Sequence, residues 1–367
     1  MRERPKILFC MHLPPPVHGA SVVGKQIHDS MIIRDAFDCY FLNPAASESV
    51  SAIGHFSLKK VADMMRFYRR VCAFVKNEKP KMVYITPSTW DWGFYRDFIT
   101  VCLLKHYHCK IVAHFHNKPQ IAFTQKWYNK WLYRRFFKDI HTIFLANRLA
   151  DSFRMYLDDA HIHICPNGMP KILEKISRKE KHTPYNFLFV SNMMAEKGVL
   201  VLLEACAILL RKGCEFTCHF IGQWSDVSEQ YFNDVCKSKG LVERVHAIGP
   251  KYGEEKNAFF ANADALVFPT FYHGETFGLV LLEAMQYALP IITTSEGALA
   301  EVVDSNCGFI VEKQNAEALA NKMQYLIENP AVGRKMGING RVKFEHEYTL
   351  ESFEDRLYAI LRKCVYE

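Results

Sequence analysis

The stretch 263–303, "ADALVFPTFYHGETFGLVLLEAMQYALPIITTSEGALAEVV", carries two carboxylates spaced for joint work on one ligand, Glu275 and Glu283. Its pattern predicts an apolar strand ending at Pro269 and a short loop, with Gly274 and Glu275, that opens a helix at Thr276. Free N–H groups at Thr276, Phe277, Gly278 and Leu279 then form a positive helix terminus suited to a diphosphate. Eight residues correspond to about 80° of helical rotation, so both glutamates face one ligand, the second one deeper. A carboxylate inside "LVLLEAM" is costly unless it accepts strong hydrogen bonds, which ribose hydroxyls supply. The purely structural alternative is one Glu capping a helix and another salt-bridged internally.

A second glycine-bearing stretch, "HGASVVGKQ" at 18–26, fits G-x-x-x-x-G-K, the front of a phosphate-cradling P-loop. It follows a strand-like "KILFCMH" and precedes a helical run, the right context for such a loop. Two requirements fail. Gln26 stands where a small hydroxyl would bind Mg²⁺, and "MVYITPS", "TIFLANR" and "ALVFPTF" all lack the Asp that would hold the metal. Gly19 is left as a bare-backbone turn where a ligand can approach, with Gly24 and Lys25 as ordinary helix residues.

Histidines supply the remaining candidates. His114 and His116, two apart in "IVAHFHN", point to the same side of a strand. His18 beside Gly19 is a third. The twelve cysteines show no C-x-x-C; scattered through apolar elements, they read as reduced, buried small hydrophobes, not metal ligands.

The elements that must position these groups are legible along the chain. Strand candidates "KILFCMH", "FDCYFLN", "KMVYITP", "KIVAHFH", "HTIFLA" and "HIHICP" alternate with helix-length amphipathic stretches. The second half restarts the pattern with "NFLFVS", "FTCHFIG", "VHAIG", "ALVFP", "PIITT" and "GFIV". Apolar strands alternating with helices mean parallel sheets covered on both faces. At 367 residues the chain is long for one domain. Expected are an N-terminal Rossmann-like domain at 1–168, a linker at 169–184, a C-terminal Rossmann-like domain at 185–345, and a final helical segment at 346–367 that packs back on either half. Two doubly wound halves of this kind are expected to face each other across a cleft and bind ligands at the C-terminal ends of their strands. No segment reaches the ~20 apolar residues of a membrane span, and "MRERPKILFC" lacks the apolar stretch of a signal peptide, so a cytoplasmic location is expected.

With those pieces in order, the chain closely resembles the nucleotide-sugar-dependent, retaining glycosyltransferases of family 4, which have the GT-B fold. The E-x7-E pair with "FGLVLLEAM" and "SEGALAEVV" carries the resemblance, together with "PNG" at 166–168, "FVSNMMAEKGVLVLLEA" at 189–205, "IVAHFHN" at 111–117 and "PPPVHGAS" near the N-terminus. The resemblance implies that Lys197 neutralises the donor phosphates, with Thr276, Phe277, Gly278 and Leu279 adding backbone contacts. Glu283 would hold the ribose, Glu275 would face the donor sugar, and His116 would sit where transfer occurs, with His114 supporting it. Gly19 would bring backbone to the diphosphate and acceptor. Asn192 occupies a donor-side position where the family usually carries Arg, so half of the usual cationic clamp is missing.

The resemblance further implies transfer of a sugar from a UDP- or GDP-linked donor to a saccharide or lipid-linked saccharide with retention of configuration. No D-x-D occurs, so no metal or other cofactor is expected. The net charge of +7 is uneven: residues 1–170 hold 24 Lys and Arg against 13 Asp and Glu, the remainder 22 against 26. "QKWYNKWLYRRFFKD" at 125–139 interleaves aromatics with cations, which suits an anionic membrane interface as well as an ordinary amphipathic helix. The expectation is a peripheral enzyme on the inner face of the cytoplasmic membrane, building a surface polysaccharide such as lipopolysaccharide or capsule. Nucleic acid is not an expected partner, since zinc-finger spacing and RNA-binding aromatic signatures are missing. The rival readings are a sugar-nucleotide epimerase of the same fold and a non-catalytic nucleotide-sugar-binding module.

Overall fold

Twelve short, largely apolar strands build two separate six-stranded parallel sheets in the computed structural model, which describes residues 4–15, 19–44, 58–172 and 184–367. The first sheet holds β1 (Lys6–Cys10), β2 (Asp38–Leu42), β3 (Met82–Ile85), β4 (Ile111–Phe115), β5 (His141–Phe144) and β6 (Ile162–Ile164), in the order β2-β1-β3-β4-β5-β6. The second holds β7 (Tyr185–Val190), β8 (Phe216–Ile221), β9 (Val245–Gly249), β10 (Ala265–Phe268), β11 (Ile291–Thr294) and β12 (Gly308–Val311), in the order β12-β11-β10-β7-β8-β9. Every strand segment expected from the apolar runs is present. Central strands such as β3, β4, β10 and β11 are buried at every position, as a sheet covered on both faces requires.

Each sheet reverses its direction of growth once. In the first the chain moves outward from β1 to β2 and then returns to β3 on the other side of β1. In the second it leaves β7 for β8 and β9, then returns to β10 on the other side of β7. At such reversals the loops after the two central strands splay to opposite faces and leave room for a ligand.

The chain divides into a unit of Met1–Gly168 with Leu350–Glu367, and a second unit of Met169–Thr349. The helix Leu350–Tyr366 belongs to the first unit because Phe353, Leu357, Leu361 and Cys364 form one apolar stripe, fully buried in a core with Ile7, Phe9, Ile27, Ile33 and Phe37. In the second unit the helix Pro330–Glu347 lies so close to the turn before β11 that a Cβ at Gly337 would fall 1.8 Å from the Ala288 carbonyl oxygen. Residues 173–183, most of the expected linker, lie outside those described. Among the described residues no helix is long and apolar enough to cross a membrane.

Candidate functional site

In the second unit, the loops that follow β7 and β10 bracket the point where strand order reverses. After β7 the chain runs through Asn192 into a single 3-10 turn, Ala195–Lys197, and Gly198 then starts the helix Val199–Arg211. Gly198 is left-handed (φ +89°), and a Cβ there would stand 2.4 Å from the Pro269 carbonyl oxygen. Only glycine therefore lets this turn lie against the end of β10. The Phe271 N–H donates to the Glu196 carbonyl at 2.8 Å, and the Ala195 N–H donates to the Asp226 carboxylate at 3.1 Å.

That docking aims Lys197 at the β10 loop. Its ammonium lies 2.6 Å from Glu275 Oε2, and both side chains are mostly buried, at 15% and 12% exposure. The ammonium also stands over the Tyr272 ring, 4.5 Å from its centroid. Burial, with Glu196 and Glu275 nearby, raises the Tyr272 phenol above its usual pKa. Glu275 is held by backbone on both sides: its N–H donates to the Tyr272 carbonyl, and Gly297 (φ +51°) passes so close that a Cβ would meet the Glu275 carbonyl oxygen at 2.5 Å.

The helix expected to open at Thr276 instead runs Leu279–Gln286. Gly278 stands at its N-cap in the left-handed region (φ +72°), which breaks the helical path, so Glu275, Thr276 and Phe277 lie outside the helix, in the loop before it. The 80° argument relating Glu275 to Glu283 through one helix therefore does not hold. The helix-end amides begin at Leu279, and the Thr276 carbonyl is already engaged by the Ala298 N–H at 2.8 Å. Phe277 is buried with its ring edge-on to Tyr348, so only its backbone remains for a ligand. Glu283 sits in the second turn and is ion-paired with Lys256 of the helix Gly253–Asn262. Asn192 is exposed and accepts from the Met194 N–H through its carbonyl.

In the first unit, β4 delivers its histidines to one side as expected: the His114 and His116 rings lie 4.2 Å apart. His114 is fully buried, with Nδ1 at 2.6 Å from the Tyr84 hydroxyl. Burial, reinforced by His116, pushes its pKa well below the ordinary imidazole value, so it is neutral. Gly19 begins the helix Gly19–Asp29 without a positive φ, and a Cβ there would meet nothing within 4 Å. The residues that would form the turn expected before it, 16–18, lie outside those described. The close approach belongs to Gly24, where a Cβ would lie 2.0 Å from the His12 carbonyl oxygen. Lys25 is exposed and paired with Asp29 along the same helix, unlike a phosphate-binding lysine. His18 lies outside the described residues.

Sequence reasoning missed Gly198, Gly297, Tyr272 and Lys256. The two glycines carried a readable signal, each beside a motif ("EKG", "SEG"), but what they touch is remote in sequence. Tyr272 and Lys256 carried none.

Two doubly wound, six-stranded parallel sheets are the architecture of the GT-B fold. Residues 171–343 match the family model of glycosyl transferases group 1. Among relatives, the capsular polysaccharide biosynthesis glycosyltransferase CapM of Staphylococcus aureus is 30% identical over 178 residues, 47% of this chain and 44% of that protein. The chain thus spans about half the length of the curated relatives it matches. Similar solved structures extend over nearly the whole chain. The lipopolysaccharide outer core galactosyltransferase WaaB, in its apo form, has a TM-score of 0.76 at 15% identity, covering 98% of this chain and 99% of its own. Anabaena HepE in complex with UDP has a TM-score of 0.74 at 14% identity, covering 98% and 100%.

Proposed function

We propose that the protein is a glycosyltransferase that moves a sugar from a nucleoside diphosphate, UDP or GDP, to a saccharide or lipid-linked saccharide, with retention of configuration and without a metal. The observation that carries this reading is the Lys197–Glu275 pair at the β7/β10 switch point, beside the N-terminus of the helix Leu279–Gln286. Lys197 supplies a mostly buried cation, and the amides at Leu279 and after it supply aligned dipoles. Together they stabilise the negative charge that grows on a departing diphosphate, in a place where water screens weakly. Glu283, released from Lys256, receives the ribose hydroxyls. Glu275, held by backbone on both sides, faces the donor sugar. His116 is assigned to the point of transfer and Gly19 to backbone contact with the diphosphate and acceptor, with His114 supporting His116 on the acceptor side. Asn192 leaves the phosphate clamp with a single cation.

Relatives and similar structures named for capsule and lipopolysaccharide synthesis support a surface polysaccharide as the product. An anionic membrane surface is the second partner proposed. In the helix Trp127–Phe137, Tyr133 and Phe137 are core, contrary to the full aromatic–cation interleaving expected, but Trp127 (79% exposed) and Trp131 (55%) remain outside with Lys130, Arg134 and Arg135. Tryptophans beside cations on an outer face suit a headgroup region.

The test is incubation of the purified protein with a panel of nucleotide sugars, with and without lipid-linked acceptors. Donor consumption that requires acceptor, with the product anomer matching the donor, is expected. Consumption without acceptor, or donor binding without turnover, overturns the reading.

A further inference from the structure

The edge of the first sheet holds a cluster that the transfer reaction does not use. β5 and β6 pair in parallel with Ile143 opposite His163, so His141, two residues before Ile143, projects to the same face as His163. That face is covered by the helix Leu350–Tyr366, whose apolar stripe ends in Cys364. The three side chains converge with one ligand atom each within 4.8 Å of the others. His141 Nδ1 is 3.3 Å from His163 Nε2, and Cys364 Sγ is 3.7 Å from the same nitrogen.

The two separations that His163 Nε2 makes match edges of a tetrahedral metal site. Metal–nitrogen bonds of 2.0–2.1 Å and a metal–sulfur bond of 2.3 Å at tetrahedral angles put two nitrogens about 3.3 Å apart and nitrogen and sulfur about 3.6 Å apart. The outer groups are also placed for a metal. Glu367 Oε2 lies 3.9 Å from His141 Nε2, beyond hydrogen-bond range but on the side turned away from the cluster, where a carboxylate closing by a few tenths of an ångström would orient a ligating imidazole. The Lys110 ammonium donates to the Cys364 carbonyl at 2.7 Å and holds the end of the helix against the sheet.

We propose that His141, His163 and Cys364 form a zinc site, with the fourth tetrahedral position open to water or an exogenous ligand. One thiolate and two imidazoles are a donor set that selects Zn²⁺ over hard cations. Binding converts the Cys364 thiol to a thiolate and releases one proton to solvent. The ion fastens the edge strands β5 and β6 to the helix Leu350–Tyr366, which is far from them in sequence.

The test is titration of the chelator-treated full chain with Co²⁺ alone, followed by Zn²⁺. One equivalent of Co²⁺ is expected to give visible tetrahedral bands and a thiolate-to-cobalt charge-transfer band, both erased by one equivalent of Zn²⁺. Cys364→Ser, a near-isosteric change, is expected to abolish the charge-transfer band, and His163→Gln to weaken Co²⁺ binding at least tenfold. Cys214→Ser, in the second unit, is expected to leave the titration unchanged. Zn²⁺ is expected to raise the melting temperature of the wild type but not of Cys364→Ser. Failure of the wild type to bind one equivalent, or a charge-transfer band that survives in Cys364→Ser, overturns the proposal.

Discussion

Lys197 and Glu275, 78 residues apart in sequence, meet at 2.6 Å because β7 and β10 are neighbours in the second sheet. A mostly buried pair of this kind costs desolvation on both sides, and removing one partner strands the other. Lys197→Ala is therefore expected to lower kcat about 10²- to 10³-fold in a transfer assay, the size seen when a group aimed at developing charge is removed. A variant with wild-type kcat would remove Lys197 from the proposed chemistry.

Glu283 is held by Lys256 in the absence of donor. Glu283→Ala is expected to abolish donor binding in calorimetry, since the ribose loses its acceptor. Lys256→Ala is expected to tighten or leave unchanged donor binding, because it frees the carboxylate. Equal weakening by both would mean that the pair is only structural.

Four glycines separate packing from ligand contact. Gly198→Ala and Gly24→Ala each push a Cβ into backbone, at 2.4 Å from the Pro269 oxygen and 2.0 Å from the His12 oxygen. Each is expected to cost at least about 2 kcal/mol in urea unfolding, and Gly297→Ala a similar amount. A Cβ at Gly19 meets no neighbour within 4 Å, so the stability of Gly19→Val is expected to stay within about 1 kcal/mol of wild type while transfer falls. Lys25→Ala removes only an exposed i,i+4 pair worth under about 0.5 kcal/mol and should leave transfer intact.

Burial of His114 sets the direction of one pH effect. Its folded-state pKa lies well below the ordinary 6.5, so the unfolded chain binds the proton more readily. The stability this residue contributes is full above about pH 6.5 and is lost as pH falls below that value toward the folded-state pKa. Urea midpoints are expected to drop on acidification from pH 7 to 5, and His114→Gln to flatten that slope. An unchanged slope in the variant would show that other groups govern it.

For the exposed face of the helix Trp127–Phe137, Trp127→Ala with Trp131→Ala, and separately Arg134→Ala with Arg135→Ala, should each weaken sedimentation with anionic vesicles. The double arginine change is expected to cost about 2 kcal/mol, roughly 30-fold, and to reduce the salt dependence. Neutral vesicles should bind weakly in every case. Salt-insensitive binding would contradict the membrane proposal.

What the sequence determined by itself was the set of strands and their parallel arrangement. A run such as "ALVF" or "MVYI" is apolar at every position, and a segment that must be buried on both faces admits few alternatives to a central parallel strand. Alternation with helices then specified two doubly wound sheets. The E-x7-E spacing was likewise legible, but not its geometry: Gly278 adopts a left-handed conformation, which moves Glu275 off the helix that carries Glu283. A glycine reads the same in sequence whether it turns, packs or lies open, which is why the close approach of Gly24 to the His12 carbonyl was not legible. Only the tertiary structure decided which remote groups meet. Lys197 reaches Glu275 through strand order, and His141 reaches His163 and Cys364 through the pairing of β5 with β6 and the stripe of the helix Leu350–Tyr366. Such pairings depend on which faces adjoin after folding, and no spacing along the chain encodes that.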